Sequence, residues 1–178
     1  MGKEYRKKVD EIMSQIQYGW VDSKGQKHTE MQGFSDGYSF QFPEELLESK
    51  LGVCWDQTEL ERKIFAEEGI TVTPFFIVYY DEKKCPSHTF VIFEEDGKFV
   101  WYEHAWEKFA GWHEFSSLQE ALKTIRDNFI RVENITVKNP LNLVVYMDYP
   151  TPKHKLSCLE FYHHCEDMRN PRFKFEDN

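Results

Sequence analysis

The succession of helix and strand patterns predicts an α+β protein, with N-terminal helices packed on an antiparallel β-sheet. Three observations carry this expectation. The stretch up to Gly69 has helical spacing and helix punctuation. The runs TPFFIVYY, HTFVIF and KFVWYEHAW are dense in β-branched and aromatic residues, as strands are. The string EEDG joins two of these runs, and a connection that short permits only antiparallel pairing.

Each element follows in order. Residues 3–17 suit an amphipathic helix, with Val9, Ile12, Met13 and Ile16 at helical spacing. From Tyr18 to Tyr38 the chain is polar and punctuated by glycine, which reads as loop with room for one hairpin. Pro43 opens a short helix over EELLESK. After Gly52, CWDQTELERKIFAEEG reads as a longer helix, with Leu60 and Ile64 one turn apart and Gly69 as its stop. The three strands come next, then a helix at about 117–129, a strand over LNLVVYM and a helical segment over LSCLEFYHHCEDM. The closing string FKFEDN and the charges on the helices read as solvated faces.

Composition limits the function classes. The 178 residues fit one domain spanning 1–178, with no repeat and no linker rich enough in Gly, Pro or Ser to divide it. Lys and Arg total 22 against 31 Asp and Glu, a formal charge of −9. That argues against nucleic acid or an anionic membrane as partner, because both require a basic face. Aromatics at 16% supply a sizeable core. No apolar run approaches the ~20 residues of a membrane span, and MGKEYRKKVDEIMSQI lacks the apolar centre of a secretion signal. A cytoplasmic protein is expected. Four cysteines in a chain with this much core read as thiols rather than a disulfide scaffold.

Cys54 falls in the expected first turn of a helix, where free N–H groups and the helix dipole favour thiolate over thiol. Gly52 before it permits close backbone approach, and the Cys54 N–H points toward a developing oxyanion. Taken alone, a cysteine there equally suits a buried structural role. The hairpin offers it a partner. If Asp96-Gly97 is a two-residue turn, Glu95 faces Lys98 and Phe90 faces Glu103. His88 and Glu103 then share a face diagonally, and His104 lies on the other. A loop of odd length reverses this and brings His104 to the face of His88. A carboxylate orienting an imidazole that serves a thiol is the machinery of nucleophilic catalysis.

The strings PEELLESKLGVCWDQTEL, SHTF and WYEHAWEK, over roughly residues 40–130, resemble the transglutaminase-like superfamily, and within it small bacterial or phage domain proteins of unassigned substrate. The resemblance implies a papain/transglutaminase-like fold with a core at 40–130 and N- and C-terminal elaborations. It also implies a nucleophile at Cys54, a general base at His88 and an orienting acid at Glu103. The superfamily usually has Asp where Glu103 stands, which leaves His104 and Asp81 as alternatives for the third member. The G-x-C-W string is also similar to papain-like proteases, but their upstream glutamine has no match, since Glu48 sits six residues before Cys54. Arylamine N-acetyltransferases share the triad but have a glycine-rich stretch before the cysteine that is missing here.

The implied chemistry is acyl transfer through a thioester, on a protein or peptide substrate, with no cofactor and no metal. Trp55, directly after the nucleophile, is the residue expected to shape a substrate groove. The other aromatics, among them Trp101, Tyr102, Trp106, Trp112 and Tyr38, read mainly as core. The string CLEFYHHC suggests zinc, but on a helix Cys158 and Cys165 stand about 10 Å apart at ~1.5 Å per residue, too far for one ion. Cys85 reads as a loop thiol. The rival to catalysis is a non-catalytic interaction module that keeps the fold.

Overall fold

The turn at EEDG closes as its residues dictate. In the computed structural model, which describes residues 3–176, Asp96 and Gly97 take φ of 52° and 73°. Two successive positive φ values are the mark of a tight hairpin turn whose twist matches its strands, and glycine at the second position accommodates this without strain. Strand pairing across it runs Glu95 with Lys98, Phe93 with Val100 and Val91 with Tyr102, the even-loop register.

The elements are α1 (Glu4–Met13), β1 (Trp20–Val21), β2 (Lys27–His28), α2 (Phe34–Gly37), α3 (Pro43–Ser49), α4 (Cys54–Glu67), β3 (Thr73–Tyr79), β4 (Ser87–Glu95), β5 (Lys98–Glu103), β6 (Gly111–Phe115), α5 (Leu118–Val132), β7 (Leu143–Met147), α6 (Cys158–Cys165) and β8 (Arg172–Phe173). Six strands form one antiparallel sheet in the order β6-β5-β4-β3-β7-β8, and β1 and β2 form a separate hairpin. The fold class is α+β.

Alternation along the strands divides the core. Val91, Phe93, Val100 and Tyr102 pack with Leu60, Ile64 and Phe65 of α4 and Val9 and Met13 of α1. Phe75, Ile77, Phe90, Ile92 and Trp101 pack on the other side with Leu122, Ile125 and Phe129 of α5. A third cluster joins Cys54 and Trp55 to Phe76, Val78, Tyr146 and Phe161.

Three departures from the sequence pattern have physical causes. The first helix stops at Met13 rather than continuing to residue 17, because Gln17 leaves helical geometry to pair with Leu51. β6 was not expected. It adds GWHEF as an edge strand through Trp101 opposite His113 and Tyr102 opposite Trp112. The closing string is not a solvated face over its length: Phe173 pairs with Val145, and Phe173 and Phe175 pack against the α5 side of the sheet. Among the described residues, no helix is long and apolar enough to cross a membrane.

Candidate active site

Cys54 is the first residue of α4, so its N–H has no helical carbonyl to bind and the positive end of the helix lies at its side chain. Asp56, two residues on, anchors that turn. Its Oδ1 accepts from Tyr38 Oη at 2.8 Å and Gln41 N at 2.9 Å, and its Oδ2 accepts from Val53 N at 3.1 Å. Burial pushes the Asp56 carboxyl up to about 7 against the pull of these donors. Gly52 is required by packing. A Cβ there would stand 2.6 Å from Leu46 Cδ1 and 3.0 Å from Asp56 Cβ.

His88 lies one residue into β4, and the chain opposite it has already left β5, which ends at Glu103. Its ring stacks on Trp106 with centroids 3.6 Å apart and planes 12° apart. Its Nε2 bonds Glu103 Oε2 at 2.8 Å, while Glu103 Oε1 accepts from the Trp106 backbone N–H, also at 2.8 Å. One carboxylate thus fixes both the imidazole and the residue stacked against it. His88 and Glu103 are 1% and 3% exposed. Burial alone pushes the imidazole down. The Glu103 charge and its hydrogen bond, with Cys54 also acting, outweigh it and raise the ring to about 10. With Nε2 occupied by Glu103, Nδ1 is the nitrogen left for another partner.

The other candidates for the third member lie elsewhere. His104 bonds the Ile16 carbonyl at 3.0 Å, and Asp81 sits in the β3–β4 loop with its N–H on the Lys84 carbonyl. Trp55 is buried, stacks on Phe161 at 4.4 Å and lines a cleft of ≈ 720 Å³ that also exposes Cys54 to its floor. That volume falls in the roughly 300–1,000 Å³ range of ligand clefts. Cys85 and Cys158 also line it, all four cysteines are free thiols, and Cys165, the last residue of α6, is buried.

Several site residues carry no mark in the sequence. Burial and then the Glu103 charge push the carboxyl of Glu61, on α4 and 4% exposed, well above the usual carboxylate range, against the pull of His88. Tyr18 and Glu133 line the cleft from the first loop and the end of α5. Burial raises the Glu133 carboxyl, against the charges of His88 and Lys84. Glu59 joins Asp56 and Glu61 as a buried acid pushed up by burial, to about 7. These three acids correct the reading of helix charges as solvated.

A pH dependence of stability follows. His88, Asp56, Glu59 and Glu61 all bind their protons more tightly folded than unfolded. The contribution of His88 is therefore complete below its ordinary value of 6.5 and is lost as pH rises through about 10; that of Asp56 and Glu59 is lost through about 7. Thermal melts are expected to show the midpoint falling from about pH 6 to about pH 10. A midpoint that climbs over this interval contradicts the assignment.

No family model matches the chain, and no curated protein matches it.

Proposed function

We propose that this chain is a cysteine-dependent acyl transferase or amide hydrolase of transglutaminase-like fold. Cys54 forms the thioester, His88 takes and returns the proton, and Glu103 orients the imidazole. The observation that carries this reading is the fixed imidazole: Glu103 holds Nε2 at 2.8 Å and Trp106 holds the ring plane, so the remaining nitrogen serves a thiol at a helix N-terminus. An imidazolium kept to about pH 10 is the counter-ion a nucleophilic thiolate requires. The acyl donor is a protein or peptide segment entering the cleft beside Trp55.

A second reading is favoured by one observation. Cys54 is only 5% exposed and belongs to an apolar cluster with Trp55, Tyr38 and Phe161, as suits an interaction module that keeps the fold without turnover. Iodoacetamide labelling read by mass spectrometry separates the two. For the enzyme, Cys54 is expected to be alkylated ahead of Cys85, although Cys85 is the exposed thiol. Labelling of Cys85 first, with Cys54 spared, favours the module.

A further inference from the structure

Resting on the acyl-transfer reading, we infer that Tyr18 is a further catalytic residue, its hydroxyl completing with the Cys54 N–H the pair of donors that receives the oxyanion. The backbone around it is clamped just ahead of the nucleophile. Gln17 N bonds the Lys50 carbonyl at 2.9 Å, and Gly52 N bonds the Gln17 carbonyl at 3.0 Å. Gly19 is pressed so closely that a Cβ would stand 2.6 Å from both the His28 carbonyl oxygen and Leu51 Cδ1. Between these two fixed points Tyr18 joins Cys54 in the lining of the cleft.

The side chain is built for donation. Tyr18 is 45% exposed and lines the cleft together with Cys54, and desolvation first, then the charges of Cys54, Glu133, Asp56 and Glu103, push its hydroxyl well above 10. It therefore keeps its proton through neutral pH, as a donor to an oxyanion requires. A helix N-terminus gives the oxyanion one N–H from Cys54, and acyl transfer with a single donor is weakly assisted. Tyr18 supplies a second donor from the segment paired with residues 50–52.

The step balances without further reagents. The Cys54 sulfur forms a bond to the carbonyl carbon, and the C=O π pair moves onto oxygen, which accepts hydrogen bonds from Tyr18 and Cys54 N–H without taking a proton. Collapse restores C=O and breaks the bond to the leaving group, which departs as an amine with the His88 proton, or as a phenolate from an activated ester.

The test compares two reactions of one sulfur in wild type and Tyr18→Phe. p-Nitrophenyl acetate passes through the oxyanion, whereas iodoacetamide reacts at a saturated carbon and forms none. Tyr18→Phe is expected to slow acetylation of Cys54 by about 10²-fold, the low end of what one lost oxyanion donor costs, with alkylation within about twofold of wild type. Unchanged acetylation overturns the inference. Equal loss in both reactions also overturns it, since Tyr18 then acts on the thiol or on the fold. A wild-type protein that is alkylated at Cys54 but never acetylated sinks the acyl-transfer reading itself.

Discussion

Replacement of His88 by alanine is expected to slow acylation of Cys54 by at least about 10³-fold, within the span that positioned proton transfer supplies. The geometry makes this ring hard to replace. Its plane is fixed by Trp106 at 3.6 Å and its Nε2 by Glu103 at 2.8 Å, so the loss removes the proposed base together with the contacts that orient it. Glu103→Gln is the sharper companion. The present carboxylate accepts at both oxygens, from the imidazole at one and from Trp106 N–H at the other. An amide has one acceptor and one donor. With its NH₂ toward Nε2 it forces the wrong tautomer and leaves a proton where the thiol's proton must go. With its NH₂ toward Trp106 it opposes two donors. Either way acylation is expected to fall by about 10²-fold or more, while Tyr18→Phe changes neither bond. Glu103→Asp, the residue usual in the superfamily the sequence resembles, shortens the arm by one methylene and is also expected to lose rate, because Glu103 spans two partners. Stopped-flow acetylation of the three variants checks this, and a His88→Ala protein as fast as wild type refutes it.

How much of this was legible depended on how far each residue's partners lie along the chain. The hairpin was legible because its determinants are local: Asp-Gly fixes a two-residue turn, and period two then places His88 and Glu103 on one face. The start of α4 was legible for the same reason, from Gly52 and the periodicity of Leu60 and Ile64. Tyr18 was not. Its position depends on pairing with residues 50–52, about which a polar loop sequence carries no information. The acids of α4 misled more actively. Asp56, Glu59 and Glu61 look like a solvated face, but α4 is packed by the sheet on one side and by α1, α3 and the α6 cluster around the rest, so every residue from Cys54 to Glu61 is buried. The first two turns of α4, enclosed on all sides, carry no stripe by which to read which residues face solvent. The edge strand β6 was missed because GWHEF is half-buried and follows a short 3₁₀ turn, so its alternation is brief.

Asp56→Ala is expected to destabilise the fold by about 3–5 kcal/mol in urea melts, the largest loss foreseen for a single residue outside the apolar core. The side chain satisfies Tyr38 Oη, Gln41 N and Val53 N, all enclosed, and truncation leaves three donors without acceptors at roughly 1–3 kcal/mol each, less whatever relaxation recovers. Asparagine keeps the oxygen for Tyr38 and Gln41 but turns an NH₂ toward Val53 N–H, so Asp56→Asn is expected to lose about 1–3 kcal/mol. The order of the two variants tests more than stability. Val53 immediately precedes Cys54, and its N–H is tied to Asp56. Loosening that tie frays the first turn of α4 and moves the Cys54 sulfur relative to a ring that Glu103 and Trp106 hold still. Acylation by the Asp56→Ala protein is therefore expected to fall even at temperatures where it remains fully folded. If instead it loses under about 1 kcal/mol and acylates normally, the start of α4 is held by the packing of Leu46 against Gly52, and the carboxylate is a passenger.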